Sequence, residues 1–185
     1  MEPSRRSRQS GTSLIQALVG LAIATGTLRL ALPGVQEIVQ ASALRAAAED
    51  VMADLRRARA EALARNRRVT MCKSADGASC SAAGGWEQGW LLFHDENGNG
   101  RREAGEEAIS HHEPLASHLR LTGNTPLARY VSYSAVGATR LVGGGFQAGT
   151  LTLCSTSAKP AAARQVILNA VGRPRVQQAT VASCV

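Results

Sequence analysis

Fifteen consecutive uncharged residues, 14–28, stand directly behind a basic leader, MEPSRRSRQSG, and no other feature narrows the possible folds as much. Only Gln16 in this run is strongly polar. As a helix rising about 1.5 Å per residue the run covers about 22 Å, short of the roughly 30 Å hydrocarbon core of a bilayer. Arg29 must therefore snorkel, or the apolar segment must extend through Leu30, Leu32 and Val35. Residues 12–35 are accordingly expected to form a minimal transmembrane half of an N-terminal helix. A secretory signal would need a small-residue cleavage site such as 24–26, yet the helical pattern runs on past it. A buried core helix is the other alternative, because fifteen residues fall between core and membrane lengths. The leader's three arginines, Arg5, Arg6 and Arg8, favour a cytoplasmic N-terminus, which sends everything after Val35 across the membrane.

From 36 to 66 the chain is rich in Ala, Leu, Glu and Arg, all good helix formers. Leu44, Ala48, Val51, Leu55, Ala58 and Ala62 recur at three- and four-residue steps and draw one narrow apolar stripe. Arg45, Arg56, Arg57, Arg59 and Arg65 lie mostly off it, and Asn66 is the expected stop. Together with the apolar run this predicts a helix of about 50 residues, with Pro33 as a possible bend. After Asn66 the texture changes to short pieces punctuated by glycine. Residues 68–72, 86–94, 107–111, 130–134, 150–154, 165–169 and 173–177 read as strands, and 142–145 and 158–163 as loops. The expected fold is α+β, with antiparallel sheets packed on the second half of the helix and residues 67–185 forming one β-rich head.

The 185 residues carry a formal charge of +7. Removing the leader takes away Arg5, Arg6, Arg8 and Glu2, a net +2, and leaves +5. A basic surface suits an anionic partner, lipid headgroups as well as DNA. All four cysteines, Cys72, Cys80, Cys154 and Cys184, fall beyond the apolar run, on the side where disulfides persist. Three pairings are open, and local closure favours Cys72 with Cys80 and Cys154 with Cys184. His94, His111, His112 and His118 show no metal-finger spacing, and no nucleotide-binding or nucleophile motif appears, so no enzymatic activity is expected.

The leader, Gly11, and then Thr12-Ser13-Leu14-Ile15, with Pro33 downstream, resemble the junction of type IV pilins and pseudopilins. Arg65-Asn66, Val69-Thr70, Cys72, Cys80, Trp86, Gly89-Trp90-Leu91, Phe93, Asp95, Asn97-Gly98, Gly100 and Gly172-Arg173-Pro174-Arg175 resemble, more narrowly, the FimT/GspH family of minor pilins and type II secretion minor pseudopilins. The resemblance implies a pilin-like fold and residues 1–11 as a leader peptide. It also implies a prepilin peptidase that cuts between Gly11 and Thr12 and N-methylates Thr12. The chain would then be a single-pass inner-membrane protein with a periplasmic head, joining other pilins or pseudopilins through its N-terminal helix. Two departures from the pattern stand out. Thr12 replaces the usual Phe or Met, and Gln16 replaces a glutamate that would pair with a neighbouring subunit's new amine. A neutral amide cannot form that ion pair.

Two constellations carry possible chemistry. Asp95, Asn97, Asn99 and Glu106 occupy the first, third, fifth and twelfth positions of a calcium-loop pattern, with Gly100 at its sharp turn. The flanking segments read as strands rather than helices, and Asn-Gly is ordinary hairpin chemistry, so a plain turn competes with a calcium site. Otherwise no cofactor is expected. Gly172, Arg173 and Arg175 form the second. Two guanidiniums two residues apart on an extended segment can grip phosphate oxygens bidentately without reading bases. The family resemblance implies DNA contact there, in uptake for natural transformation; Arg129, Arg140, Lys159 and Arg164 are further basic residues that could widen the patch, though the sequence does not place them together. The alternatives are a secretion pseudopilin that primes assembly and never touches DNA, and an anchored binding domain unrelated to filaments.

Overall fold

The computed structural model describes residues 13–156 and 160–184, without the side chains of residues 24–37. The expected cleavage and methylation junction, Gly11 and Thr12, and the patch candidate Lys159 therefore lie outside the described residues. A single helix, α1 (Leu14–Arg65), opens the fold. The chain divides into two units, one ending at Gln40 and one running from Ala41 onward.

In the first unit the helix begins on a reciprocal cap. The Ser13 amide donates to Gln16 Oε1 at 3.2 Å, and the Gln16 amide donates to Ser13 Oγ at 3.4 Å. That arrangement satisfies two of the four N–H groups every helix start leaves orphaned. Leu14, Ile15, Leu18 and Val19 are all more than half exposed. Among the described residues no helix is long and apolar enough to cross a membrane.

In the second unit the alanine-rich stripe does what its spacing requires. Leu44, Ala48, Val51, Leu55, Ala58 and Ala62 are all buried, in one core with both sheets. Small residues at these steps let strands approach the helix closely. The helix stops at Asn66, whose φ of 51° is left-handed, and the Arg67 amide turns back to the Ala62 carbonyl at 3.2 Å. Asn tolerates that conformation better than any other side-chain-bearing residue, and the back-bond closes the last turn.

Eight strands follow: β1 (Val69–Lys73), β2 (Trp90–His94), β3 (Ala108–His112), β4 (Leu119–Gly123), β5 (Tyr130–Tyr133), β6 (Gly149–Ser155), β7 (Ala161–Leu168) and β8 (Pro174–Val181). They pair antiparallel into two four-stranded sheets, ordered β3-β2-β1-β5 and β4-β6-β7-β8. The α+β expectation holds, with three differences in detail. Residues 86–88, expected to begin a strand, form a 3-10 turn that ends at Gly89 with φ 105°, a conformation only glycine enters freely. β4 was not expected, although Leu119 and Leu121 alternate inward along it. Residues 161–163, expected in a loop, are strand, held in register by pairing Ala161 with Val181 and Ala163 with Ala179.

Two tryptophans tie the layers together. The Trp86 indole donates to the Leu127 carbonyl at 2.9 Å, and the Trp90 indole donates to Asp54 of α1 at 2.7 Å while stacking on His112. Both expected disulfides are present, Cys72–Cys80 and Cys154–Cys184.

Candidate functional site

The turn between β7 and β8 carries Gly172 and Arg173, while Arg175 is the second residue of β8, paired with Ile167; the geometry of the turn follows from local bonds. The Gly172 amide donates to the Asn169 carbonyl at 2.9 Å, and the Arg173 amide donates to Asn169 Oδ1, also at 2.9 Å. Gly172 has φ 78°, and any Cβ there would collide with the Gly137 carbonyl. The glycine is thus demanded twice, by backbone hand and by close approach. The loop 134–147 braces the turn from the side: the Thr139 amide donates to the Ala170 carbonyl at 3.3 Å, and its hydroxyl, within 2.6 Å of the Gln147 carbonyl and 3.1 Å of the Asn169 carbonyl, donates to the nearer.

This bracing presents Arg173 to the helix. A groove of about 400 Å³ is lined by Arg56, Arg59, Ala60 and Leu63 of α1 together with Arg173 and Pro174. Arg175 lies outside it and donates to Gln177 Oε1 at 3.5 Å, in a line of polar side chains that continues to Gln165. None of the arginines expected to widen the patch lines the groove. Arg140 lies over the Phe146 ring at 4.2 Å, Arg129 lines a separate cavity beside Cys72 and Cys80, and Arg164 lines another with Ala41 and Leu44. Nothing in the sequence singles out Arg56 and Arg59, because helix arginines off an apolar stripe look like any solvated face. The turn that meets them is more than a hundred residues away.

Two buried polar atoms close to the groove lack partners. Arg59 Nε is buried without an acceptor, and the Tyr133 hydroxyl is buried without a partner. Burial pushes the Tyr133 phenol well above its usual range, and the Arg59 charge opposes only part of that rise. Among the described residues no ion pair includes Arg56, Arg59, Arg173 or Arg175, whereas Arg65 pairs with Glu61 and Glu107.

The second constellation folds into a self-capped loop. Asp95 Oδ2 accepts from Gly100 N–H and from the Thr70 hydroxyl, Asn97 Oδ1 from Asn99 N–H, and Asn99 Oδ1 from Arg101 N–H. The two Glu106 oxygens accept from Glu96 N–H and Glu103 N–H. Every oxygen named except Asp95 Oδ1, which is buried without a partner, is thereby spent on a donor within the head. Among the described residues no three His, Cys, Asp or Glu side chains are grouped to hold a metal ion. The arrangement fits a hairpin loop stabilised by its own amides better than a calcium cage.

A family profile described as Type II transport protein GspH matches residues 47–172, more than half of the chain. The match ends one residue before Arg173. Among solved structures, the type IV minor pilin FimU of Pseudomonas aeruginosa is similar in two crystal forms, at TM-scores of 0.52 and 0.50 and 19% identity. Each alignment covers 77% of this chain, and 95% and 100% of the respective FimU chains. At that identity the likeness speaks for the fold alone. No curated protein matches the sequence. With helix, sheets and profile in agreement, the chain belongs to the GspH family of minor pilins and pseudopilins.

Proposed function

We propose that this protein is a minor filament subunit that holds DNA by its phosphate backbone through Arg173 and Arg175. In this reading residues 12–35 anchor it in the inner membrane after a prepilin peptidase has cut between Gly11 and Thr12. The N-terminal helix then joins those of other pilins in a type IV pilus. The exposed Leu14, Ile15, Leu18 and Val19 support the anchoring half, since bare aliphatic side chains on one helix call for lipid or other helices to cover them. One observation carries the DNA half. The two motif arginines, Arg173 on the braced turn and Arg175 at the start of β8, have no carboxylate partner among the described residues, so their charge is free for an external anion.

Electrophoretic mobility shifts on the detergent-solubilised full chain test it. Wild type is expected to bind duplexes of unrelated sequence alike and to weaken steeply with salt. Arg173→Ala with Arg175→Ala is expected to lower the salt slope by about 0.9 for each phosphate left unneutralised. Unaltered binding by that double variant, with the fold intact by circular dichroism, would remove the arginines from the site.

A second reading is favoured by the family's own description, which names type II transport. It makes the chain a secretion pseudopilin that primes assembly without touching DNA. Under it, the double variant supports protein secretion as wild type does, and the wild-type chain retards no DNA. Mass spectrometry of the mature N-terminus tests both: a chain still beginning at Met1 in cells with active peptidase contradicts filament entry.

A further inference from the structure

The two motif arginines do not share one surroundings: Arg173 lines the groove against α1, and Arg175 does not. We propose that the groove is a composite phosphate cradle in which Arg56 and Arg59 of α1 complete the site that Arg173 begins. This inference rests on the DNA-binding reading above and extends it from a motif on one hairpin to a site shared by two distant parts of the chain.

The lining argues for an anionic occupant. Of six residues, three are arginines, three are the apolar Ala60, Leu63 and Pro174, and none is acidic. Arg56 and Arg59 stand three apart on one helix face, where like charges repel, and Arg173 adds a third charge from the turn. Three cations lining one groove repel one another weakly, and an anion seated among them would turn that repulsion into attraction. The acids of α1 nearest in sequence are engaged elsewhere, with Asp54 held by Trp90 and Glu61 by Arg65. Arg59 Nε is buried beside Gly137, which anchors the inner end of that guanidinium and leaves its outer nitrogens for an occupant of the groove. One wall of the cradle is fixed in place, because Gly137 packs against the Arg59 and Leu63 side chains and Gly172 packs against the Gly137 carbonyl. Guanidinium groups held in position match the paired oxygens of a phosphodiester. Leu63, half exposed, with Ala60 and Pro174 gives the sugar edge an apolar wall. No side-chain amide, hydroxyl or carboxylate lines the groove, so any base readout would fall to the same arginines that hold phosphate.

The experiment uses the full chain in detergent with a fluorescent duplex, titrated over a series of salt concentrations. Arg56→Gln with Arg59→Gln is expected to weaken binding at least fivefold at moderate salt. Its salt slope should fall by about 0.9 per phosphate released, and Arg56→Lys with Arg59→Lys should retain most of the slope. Thermal melts of each variant establish that the fold survives, and Arg56→Gln alone serves if the double variant does not fold. Helix variants that bind as wild type does, while Arg173→Ala with Arg175→Ala loses binding, overturn the composite cradle and leave the motif reading standing. A wild-type chain that binds no DNA overturns both. Helix variants that bind DNA normally but fail to enter filaments assign the groove to the acidic face of a neighbouring subunit, and overturn the cradle as well.

Discussion

The two sheets of the head have the same number of strands and the same antiparallel pairing, yet they meet their surroundings differently. In the first, every residue of β1 and β2 is buried. Val69, Met71, Trp90 and Leu92 face the common core, while Cys72, Leu91 and Phe93 form a second small core on the other side, with Cys80 and Tyr130 packed against it. The Cys72–Cys80 loop and the self-capped loop beginning at Asp95 roof that side, joined where Arg102 donates to Cys80 Sγ and to the Ala78 carbonyl. In the second sheet, β8 alternates between half-buried and exposed, and Arg175, Gln177 and Gln165 form a polar line on an open face. Strands roofed on both sides, as β1 and β2 are, serve as scaffold, although the edge strand β3 of the same sheet has no fully buried residue. A sheet left open on one side can carry a binding surface at small cost to the fold, and it is at the end of the open sheet that the arginine turn sits.

The sharpest way to break this contrast is to remove one side chain from each outer face. Phe93→Ala is expected to cost about 3–5 kcal/mol, and Gln177→Ala to stay within about 0.5 kcal/mol, both measured by urea unfolding. Similar costs would mean that the roof contributes nothing. Next come the disulfides, with 30 and 8 residues of sequence separation. Chain entropy alone assigns about 3.5 kcal/mol to Cys154–Cys184 and about 2.5 kcal/mol to Cys72–Cys80. Since opening the second bridge also loosens the cover over Leu91 and Phe93, serine replacement of Cys72 and Cys80 is expected to exceed its entropic figure. A cost at or below that figure would show that the roof stays shut without its bridge.

The smallest effect is a matter of pH. Hydrogen bonds from the Ser79 hydroxyl and amide and the Ala78 amide hold the Asp76 carboxyl well below the usual carboxylate range. A depressed folded-state pKa means that this stabilisation is complete above the ordinary aspartate value of about 3.9 and drains away as pH falls below it. Amide exchange at 78–79 should therefore accelerate in acid relative to the second sheet, and Asp76→Asn should remove the difference.

Much of the scaffold was legible in the sequence, because its signals are local. The stripe from Leu44 to Ala62 is buried as its spacing requires, Asn66 ends the helix, and the disulfides join the cysteines that local closure favours. What was missed depends on partners far along the chain. The Ala-Pro-Ala composition around 160 argues for a loop, but residues 161–163 become strand because β8 lies alongside them. Leu119 and Leu121 did alternate, over a stretch too short to register beside the prolines around it. Gln16 read as a lost charge, and its short-range bond to Ser13 gives it a second role as a helix cap. At the candidate site Gly172 and Arg173 were legible as a motif. Arg56 and Arg59 were not, since nothing in a helix's own periodicity says which distant turn will lie against it.

The chain has two tryptophans, both wholly buried, one hydrogen-bonded to the backbone beside the second sheet and the other to α1. The molecule thus comes with its own optical gauge. Replacing either indole by phenylalanine leaves a single indole to excite at the red edge, where tyrosine does not absorb, and a red shift in its fluorescence would time the moment at which water reaches that particular seam.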